Sequence, residues 1–108
     1  MKLMPEARHS VNIIAGEIVH RPPEGKLERV PLSAITRVLI ETNDSGPWGT
    51  DVWWIVEGRS EGDCCCFPQG ATGEAAVIHA LSALPGFKIR GMNSVENRQF
   101  ECWPNPDP

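Results

Sequence analysis

Asp51-Val52-Trp53-Trp54-Ile55-Val56-Glu57 is the stretch that decides the fold class. Apolar side chains stand at both odd and even positions, so an extended strand here is apolar on both faces. Strands of this kind are typical of a sheet centre that is covered on both sides. We therefore predict that Trp53 and Trp54 are wrapped by protein from two sides, by a helix on one and by a curled sheet edge, a loop or another subunit on the other.

Turn-forming segments flank this strand and predict an antiparallel meander of three strands. Residues 43–49 contain Asn, Asp, Ser, Gly and Pro, so they link it to an alternating strand at residues 35–42. Residues 58–62 lead into a short strand at Cys64–Phe67, which Pro68 ends.

Residues 58–62 also match the G-x-S-x-G pattern of hydrolase nucleophile elbows. The serine of such an elbow lies in a turn between a strand and a helix, whereas a strand is predicted to follow here.

One helix is predicted near residues 73–84, with Thr72 as its cap and Leu84-Pro85-Gly86 as its end. A wide apolar stripe on this helix should cover the sheet, formed by Val77, Ile78, Leu81 and Leu84. A second stripe of small residues runs beside it, formed by Ala76, Ala80 and Ala83. The helix contains no Lys or Arg, so it is either nested within its own domain or packed against a partner chain through the alanines.

The remaining segments predict further strands. Residues 11–20 are rich in Val and Ile and form one strand before the Pro-rich turn at 21–25. A short returning strand follows at 27–30. The tail at 98–103 alternates and closes the fold as an edge strand.

Chain length and element order favour one α+β domain. A chain of 108 residues can bury one core but not two, so residues 1–108 are predicted to form a single domain. Its architecture is a curved antiparallel sheet of about five strands with one main helix, about 73–84, packed on it. Residues 1–9 and 104–108 are predicted to be flexible ends.

Four linked motifs give the chain a resemblance to a group of small, uncharacterised bacterial proteins. They are Asp51-Val52-Trp53-Trp54, Phe67-Pro68-Gln69-Gly70-Ala71-Thr72-Gly73-Glu74, Leu84-Pro85-Gly86-Phe87 and Asn97-x-x-Phe100-x-x-Trp103. The resemblance covers about residues 30–103 and implies kinship with a domain of unknown function, so it carries no activity and no assigned site residue. A bent meander followed by a helix also resembles a pleckstrin-homology-type half barrel, by an analogy that does not fix function.

Charge and composition argue against several function classes. The formal net charge is -4 and the ten Lys and Arg residues are scattered singly, which leaves no basic stripe for nucleic-acid phosphates. The longest apolar run, Ala75–Ala83, falls far short of the ~20 residues that span a bilayer. Pro5 and Glu6 stand where a signal peptide needs an apolar stretch. We expect a cytoplasmic protein with no nucleic-acid and no membrane partner.

Three of the four cysteines are consecutive, unlike the spread cysteines of a secreted disulfide framework, so reduced thiols are expected. On a strand, Cys64 and Cys66 point to one face and Cys65 to the other, so the triplet cannot converge on one metal. A zinc site would need Cys102 across from Cys64 or Cys66 and a histidine as well. Small buried thiols without metal are the expected role. A thiol or zinc protein is kept as the second alternative.

Neither the cysteines nor the histidines have the neighbours that catalysis requires. Asp63 and Phe67 flank the triplet and should raise the pKa of its thiols, which disfavours a nucleophilic thiolate. No two of the histidines are spaced as neighbours on a helix. His9, His20 and His79 are therefore expected to be isolated, exposed or singly hydrogen-bonded.

A candidate anion site lies between the Cys64–Phe67 strand and the helix, at Gly70, Thr72 and Gly73. Backbone N–H groups and the helix dipole can hold a phosphate or carboxylate at such a position. The first glycine of the dinucleotide-binding pattern and the P-loop lysine are both missing, and Glu74 already supplies negative charge there. Small-anion or small-molecule binding is therefore the first alternative.

A non-enzymatic protein-interaction module is the function that the sequence favours, because no residue set has the spacing of a catalytic site. No cofactor is expected, and the partner is another protein or a second copy of the chain, as in a homodimer. Trp48, at the tip of a Gly/Pro loop, is either an exposed anchor or a lid folded back on Trp53 or Trp103. The residues predicted for the interaction surface are Trp48, Trp53, Ala76, Ala80 and Ala83.

Overall fold

The structure, a computed structural model, describes residues 8–46, 49–89 and 98–104. These residues form seven strands and one α-helix, which confirms the predicted α+β class. The strands are β1 (Ser10–Ile14), β2 (Glu17–Arg21), β3 (Glu28–Pro31), β4 (Ile35–Gly46), β5 (Gly49–Gly58), β6 (Cys64–Pro68) and β7 (Arg98–Trp103). The helix α1 spans Glu74–Leu81, and a short 3-10 helix spans Leu32–Ala34.

Two antiparallel sheets contain these strands, rather than the single sheet of about five strands that was predicted. The first sheet has the order β1-β2-β3 and the second the order β6-β5-β4-β7. The predicted meander is confirmed in β4, β5 and β6, with β5 inside the sheet and β7 at its edge. Neither sheet closes into a barrel over the described ranges, and the pleckstrin-homology analogy stays a prediction.

A hairpin that the sequence analysis missed accounts for one additional strand. Residues 11–20 divide at Ala15 and Gly16, whose φ angles are 50° and 79°, and β1 and β2 pair on either side with Ile14 opposite Glu17. Two successive positive φ angles define the two-residue turn that suits the twist of a hairpin. The turn was missed because alanine is an unusual residue at a left-handed position, where Asn or Gly is the ordinary signal.

The connection between β4 and β5 is tighter than the turn predicted at residues 43–49. β4 continues to Gly46 and β5 begins at Gly49, with these two glycines paired. A register shift between Asn43 and Gly46 accommodates the turn-forming residues within the strand. Ladder hydrogen bonds to the neighbouring strand have therefore outweighed the weak local preference of these residues for a turn.

The helix α1 is shorter than the predicted range of 73–84. Gly73 is its N-cap residue at φ 91°, with no side-chain cap hydrogen bond, so the predicted capping role of Thr72 is wrong. The backbone of Thr72 instead continues the edge of the first sheet, because Val11 N donates to Thr72 O at 2.8 Å. Ser82 is the C-cap residue, and turns continue from there to Leu84. No helix in the described ranges has the length and apolar content to cross a bilayer.

The core lies between the two sheets and α1. Trp54 and Phe67 from the second sheet, Ile18 from the first, and Val77 and Leu81 from α1 are all fully buried. Trp54 also joins α1 to the second sheet, because its Nε1 donates to Glu74 Oε2 at 2.9 Å. Burying an indole without a partner for its N–H would be costly, so this bond fixes the position of the helix start over β5.

Candidate functional site

Three side chains, His9, His20 and Glu28, form a continuous hydrogen-bonded array, here called the His–His–Glu array. His9 Nδ1 lies 2.9 Å from His20 Nε2, and His20 Nδ1 lies 2.5 Å from Glu28 Oε1. The two imidazole rings are nearly parallel, with centroids 5.1 Å apart. The His20 side chain is 2% exposed and that of Glu28 is 35% exposed. Both nitrogens of the buried imidazole are therefore paired.

Strand register brings these side chains to one face of the first sheet. His20 on β2 pairs with Val11 on β1 and with Glu28 on β3. Directly paired residues share a face, and residues two apart on a strand do so as well. His9, two positions before Val11, is therefore the diagonal neighbour of His20 on that face.

The array also joins the first sheet to the edge of the second. Glu28 Oε1 accepts a hydrogen bond from the backbone N–H of Cys66 on β6 at 2.9 Å. The Cys65 thiol donates to the carbonyl of Ile18 on β2 at 3.7 Å. The carbonyl of His9 accepts from Thr72 N at 2.9 Å, in the segment that precedes α1. A single carboxylate thus pairs with a buried imidazole and with an edge N–H of the opposite sheet.

Hydrogen-bond chemistry assigns the protons in the array. An ionised carboxylate can only accept, so His20 carries a proton on Nδ1 and, when neutral, presents a lone pair on Nε2. His9 then donates its Nδ1 proton to that lone pair. A carboxylate that fixes an imidazole tautomer is also how hydrolases orient a general base. Here the oriented imidazole of His20 is buried, so it cannot touch a substrate, and the array acts as a structural joint.

The convergence of His9 and His20 corrects the prediction of isolated histidines. Both the ring and the carbonyl of His9 are hydrogen-bonded to other elements, while the flexibility predicted for residues 1–9 and 104–108 stays a prediction. The feature that brings the two histidines together is the turn at Ala15–Gly16, which places His20 opposite Val11 and hence beside His9. Without that turn, the three polar side chains have no apparent relation in the sequence.

The cysteines do not form the predicted alternative zinc site. β6 and β7 are opposite edges of the second sheet, so Cys102 cannot lie across from Cys64 or Cys66. Cys65 is fully buried and its two neighbours are half-buried, as expected from alternation. No group of three or more His, Cys, Asp or Glu side chains among the described residues is placed to hold a metal ion.

Burial and Glu28 both make these thiols poor nucleophiles. Burial first, and then the Glu28 carboxylate, raises the pKa of the Cys65 thiol to about 12 and that of the Cys66 thiol to about 11. The same two causes raise the pKa of Cys64. The direction agrees with the prediction, but the responsible carboxylate is Glu28 rather than Asp63.

These raised pKa values make stability fall at alkaline pH. An unfolded thiol loses its proton near its ordinary pKa of 9.0, whereas Cys66 keeps it up to a pKa of about 11 in the folded protein. Between these values the folded state binds more protons than the unfolded state, so the free energy of unfolding decreases as pH rises. Urea unfolding at several pH values in this window should show the decrease, which tyrosine cannot cause because the chain contains none.

The control for this prediction is Cys66→Ser, which keeps a small polar side chain without a titrating thiol. It should flatten part of the alkaline decrease and leave stability near neutral pH almost unchanged. An identical alkaline profile in the wild type and the variant would contradict the role of Cys66.

The two adjacent tryptophans differ in their surroundings. Trp54 is fully buried and faces α1, whereas Trp53 is half-buried and packs edge-on against His9 with ring centroids 5.8 Å apart. The expectation that both are wrapped by protein holds for Trp54 only. Trp53 instead combines partial exposure with neighbouring ionisable groups. Trp48 lies outside the described residues.

The predicted anion site is bonded to the chain's own carboxylate. Gly70 N donates to Glu74 Oε1 at 3.1 Å, while the other oxygen of Glu74 accepts from Trp54. Thr72 N is bonded to the carbonyl of His9. At Gly73 an added Cβ would lie 2.1 Å from the carbonyl oxygen of Val11. Anion binding at this loop stays a prediction, and it would have to displace Glu74.

The alanine stripe lies on the outer side of α1. Ala76 and Ala83 are exposed and Ala80 is half-buried, whereas Val77 and Leu81 face the core. Trp53 points away from the face on which Trp54 meets α1, because neighbouring residues on a strand alternate. The alanines and Trp53 therefore do not share one face of the second sheet, although both were predicted to belong to the interaction surface.

Comparisons with protein-family models, with curated proteins and with solved structures found no match.

Proposed function

We propose that the protein is a non-enzymatic protein-interaction module that binds a second copy of itself, or another protein, through the outer face of α1. The observation that carries this proposal is the orientation of Glu74. Its carboxylate turns inward and is bonded to Trp54 Nε1 and Gly70 N. Because α1 contains no other Asp or Glu and no Lys or Arg, its outer face is left without a formal charge at neutral pH.

An uncharged outer face is unusual for a helix that has only one buried side. Surface helices ordinarily carry charged residues opposite their apolar stripe. On α1 that position is taken by small side chains and His79, with Ala75 and Ala76 both exposed. Association through such a face removes no charged group from water, which matches the depletion of charge at the centre of protein interfaces. Small side chains also allow a partner helix to approach closely.

The test is light scattering on size-exclusion fractions over a wide range of protein concentration, with Ala76→Arg as the disrupting variant. Arginine at this position places a charge and a long side chain in the centre of the proposed interface. We expect the wild type to self-associate. The dissociation constant of the variant should be at least about tenfold larger, equivalent to ~1.4 kcal/mol.

The matched control is Ser60→Arg, since Ser60 is also small and exposed but lies between β5 and β6, at the end of β6 opposite to the one that leads into α1. We expect it to retain most of the association, while circular dichroism shows both variants folded. A wild type that remains monomeric at every concentration would contradict self-association. An equal loss in both variants would show that the interface is not centred on the alanine stripe.

A further inference from the structure

The hydrogen bond between the two histidines of the His–His–Glu array depends on how many protons their imidazole rings carry. The bond between His9 Nδ1 and His20 Nε2 needs one N–H and one lone pair. With both rings neutral, His9 donates to His20. One added proton still leaves a donor and an acceptor facing each other, because the proton can reside on the other nitrogen of His9.

A second added proton changes the situation. Both rings are then imidazolium ions, which carry N–H on every nitrogen and have no lone pair. Two N–H groups would face each other across 2.9 Å, and two positive charges would lie in rings 5.1 Å apart. His20 is 2% exposed, so water cannot screen this repulsion as it does at a surface. The hydrogen bond between the histidines cannot survive the second proton.

The titratable groups that the described residues place around the array leave two N–H groups facing each other in the doubly protonated state. Glu28 on β3 is the carboxylate in direct contact with His20. From β6 the array faces Cys64, Cys65 and Cys66, whose raised pKa values keep them neutral. Glu41 on β4 and Glu57 on β5 act on these thiols, and they contact Gln99 and Arg37 respectively.

We propose that the His–His–Glu array is a pH-sensitive joint between the start of β1 and the buried ring of His20 on β2, which is closed with no more than one added proton and opens when both histidines are protonated. Opening would release the contacts that depend on it. The carbonyl of His9 also holds Thr72 N, whereas the bond from Cys66 N to Glu28 persists, because a protonated His20 still donates to the same carboxylate. Loss of the His9–His20 bond therefore loosens β1, the strand that packs against α1, and the segment that leads into α1. This inference is independent of the proposed interaction through α1.

The sign of the pH effect follows from proton counting. In the unfolded chain both histidines take up protons near their ordinary pKa of about 6.5. The closed array accepts only one added proton. Below the ordinary histidine pKa the unfolded state therefore binds more protons than the folded state, and the free energy of unfolding falls as pH falls. A difference of one proton corresponds to an increase in the unfolding equilibrium constant of up to about tenfold per pH unit. The useful window ends near pH ~5, where carboxyl groups in general begin to protonate.

The test is urea unfolding across this window for the wild type, His9→Asn and Glu24→Gln. An asparagine amide can donate to neutral His20 Nε2 through its nitrogen and, turned over, can accept from protonated His20 through its oxygen. His9→Asn should therefore keep its neutral-pH stability and lose the steep slope. Glu24 is exposed between β2 and β3 and outside the array, so Glu24→Gln should keep the wild-type slope. Amide exchange at Thr72, whose N–H donates to the His9 carbonyl, should accelerate with the same pH dependence in the wild type once it is corrected for its intrinsic rate.

Three results would overturn the proposal. One is a wild-type unfolding constant that is flat across the window. Another is a slope that persists unchanged in His9→Asn, even if that variant is less stable at every pH, since this would indicate a merely structural contact. The third is amide exchange at Thr72 that does not respond to pH.

Discussion

Replacing Glu28 with alanine is expected to lower the free energy of unfolding by about 2–4 kcal/mol. The substitution leaves His20 Nδ1 and Cys66 N without their acceptor, and His20 is buried. Unpaired donors in the interior cost roughly 1–3 kcal/mol each, with some relief from water where the site is partly open. Urea unfolding near neutral pH measures the loss.

Glu17→Ala is the matched control for Glu28→Ala. The Glu17 side chain is 32% exposed, close to the 35% of Glu28, and it lies on β2 of the same sheet. Its partner is Arg29, at 3.7 Å on the surface, and such pairs contribute about 0–1 kcal/mol. Similar losses in the two variants would mean that Glu28 is an ordinary surface carboxylate and not the acceptor at the centre of the sheet junction.

Gly73→Ala is expected to destabilise the protein by about 3 kcal/mol or more, combining backbone strain with a steric clash. Gly73 has a φ of 91°, a conformation that L-residues rarely adopt. The new Cβ would stand 2.1 Å from the Val11 carbonyl oxygen, so β1 would have to move away from the segment that precedes α1. The hydrogen bond from Val11 N to Thr72 O would be weakened at the same time.

Gly62→Ala separates these two causes. Gly62 has a similar φ of 95°, but nothing lies within 4 Å of the position that a Cβ would occupy. Gly62→Ala should therefore lose only the free energy of unfolding that backbone strain accounts for, about 1–2 kcal/mol. If thermal or urea unfolding gives equal losses for the two variants, the close approach of Gly73 to β1 contributes nothing. The same comparison explains why substitutions at Gly73 cannot test anion binding, since they disturb the fold first.

Local signals in the sequence were sufficient for the second sheet and α1. The β-branched and aromatic residues of β5 and the glycines after it predicted the meander, because side-chain period and turn chemistry agree there. The buried side of α1 was predicted correctly from Val77 and Leu81. The exact helix ends were not, since Gly73 at positive φ replaced the expected Thr72 cap.

The candidate site could not be predicted in the same way, because it depends on the register of two hairpins. His9, His20 and Glu28 meet only when β1 and β2 turn at Ala15–Gly16 and β3 returns with Glu28 opposite His20. A shift of one residue in either register would send the polar side chains to the other face. The inward turn of Glu74 was equally inaccessible, because a glutamate in the first turn of a helix ordinarily faces solvent near the helix dipole.

Glu28 and His9 hold the buried ring of His20 in one tautomer at the junction of the two sheets. A long-range proton–nitrogen correlation spectrum of the histidine rings, recorded above pH ~7, measures this tautomer, since ordinary histidines are then neutral. We expect His20 to carry its proton on Nδ1 and to leave Nε2 bare, with His9 protonated on Nδ1. A His20 ring protonated on Nε2, or one that averages between tautomers as exposed rings do, would be incompatible with this arrangement.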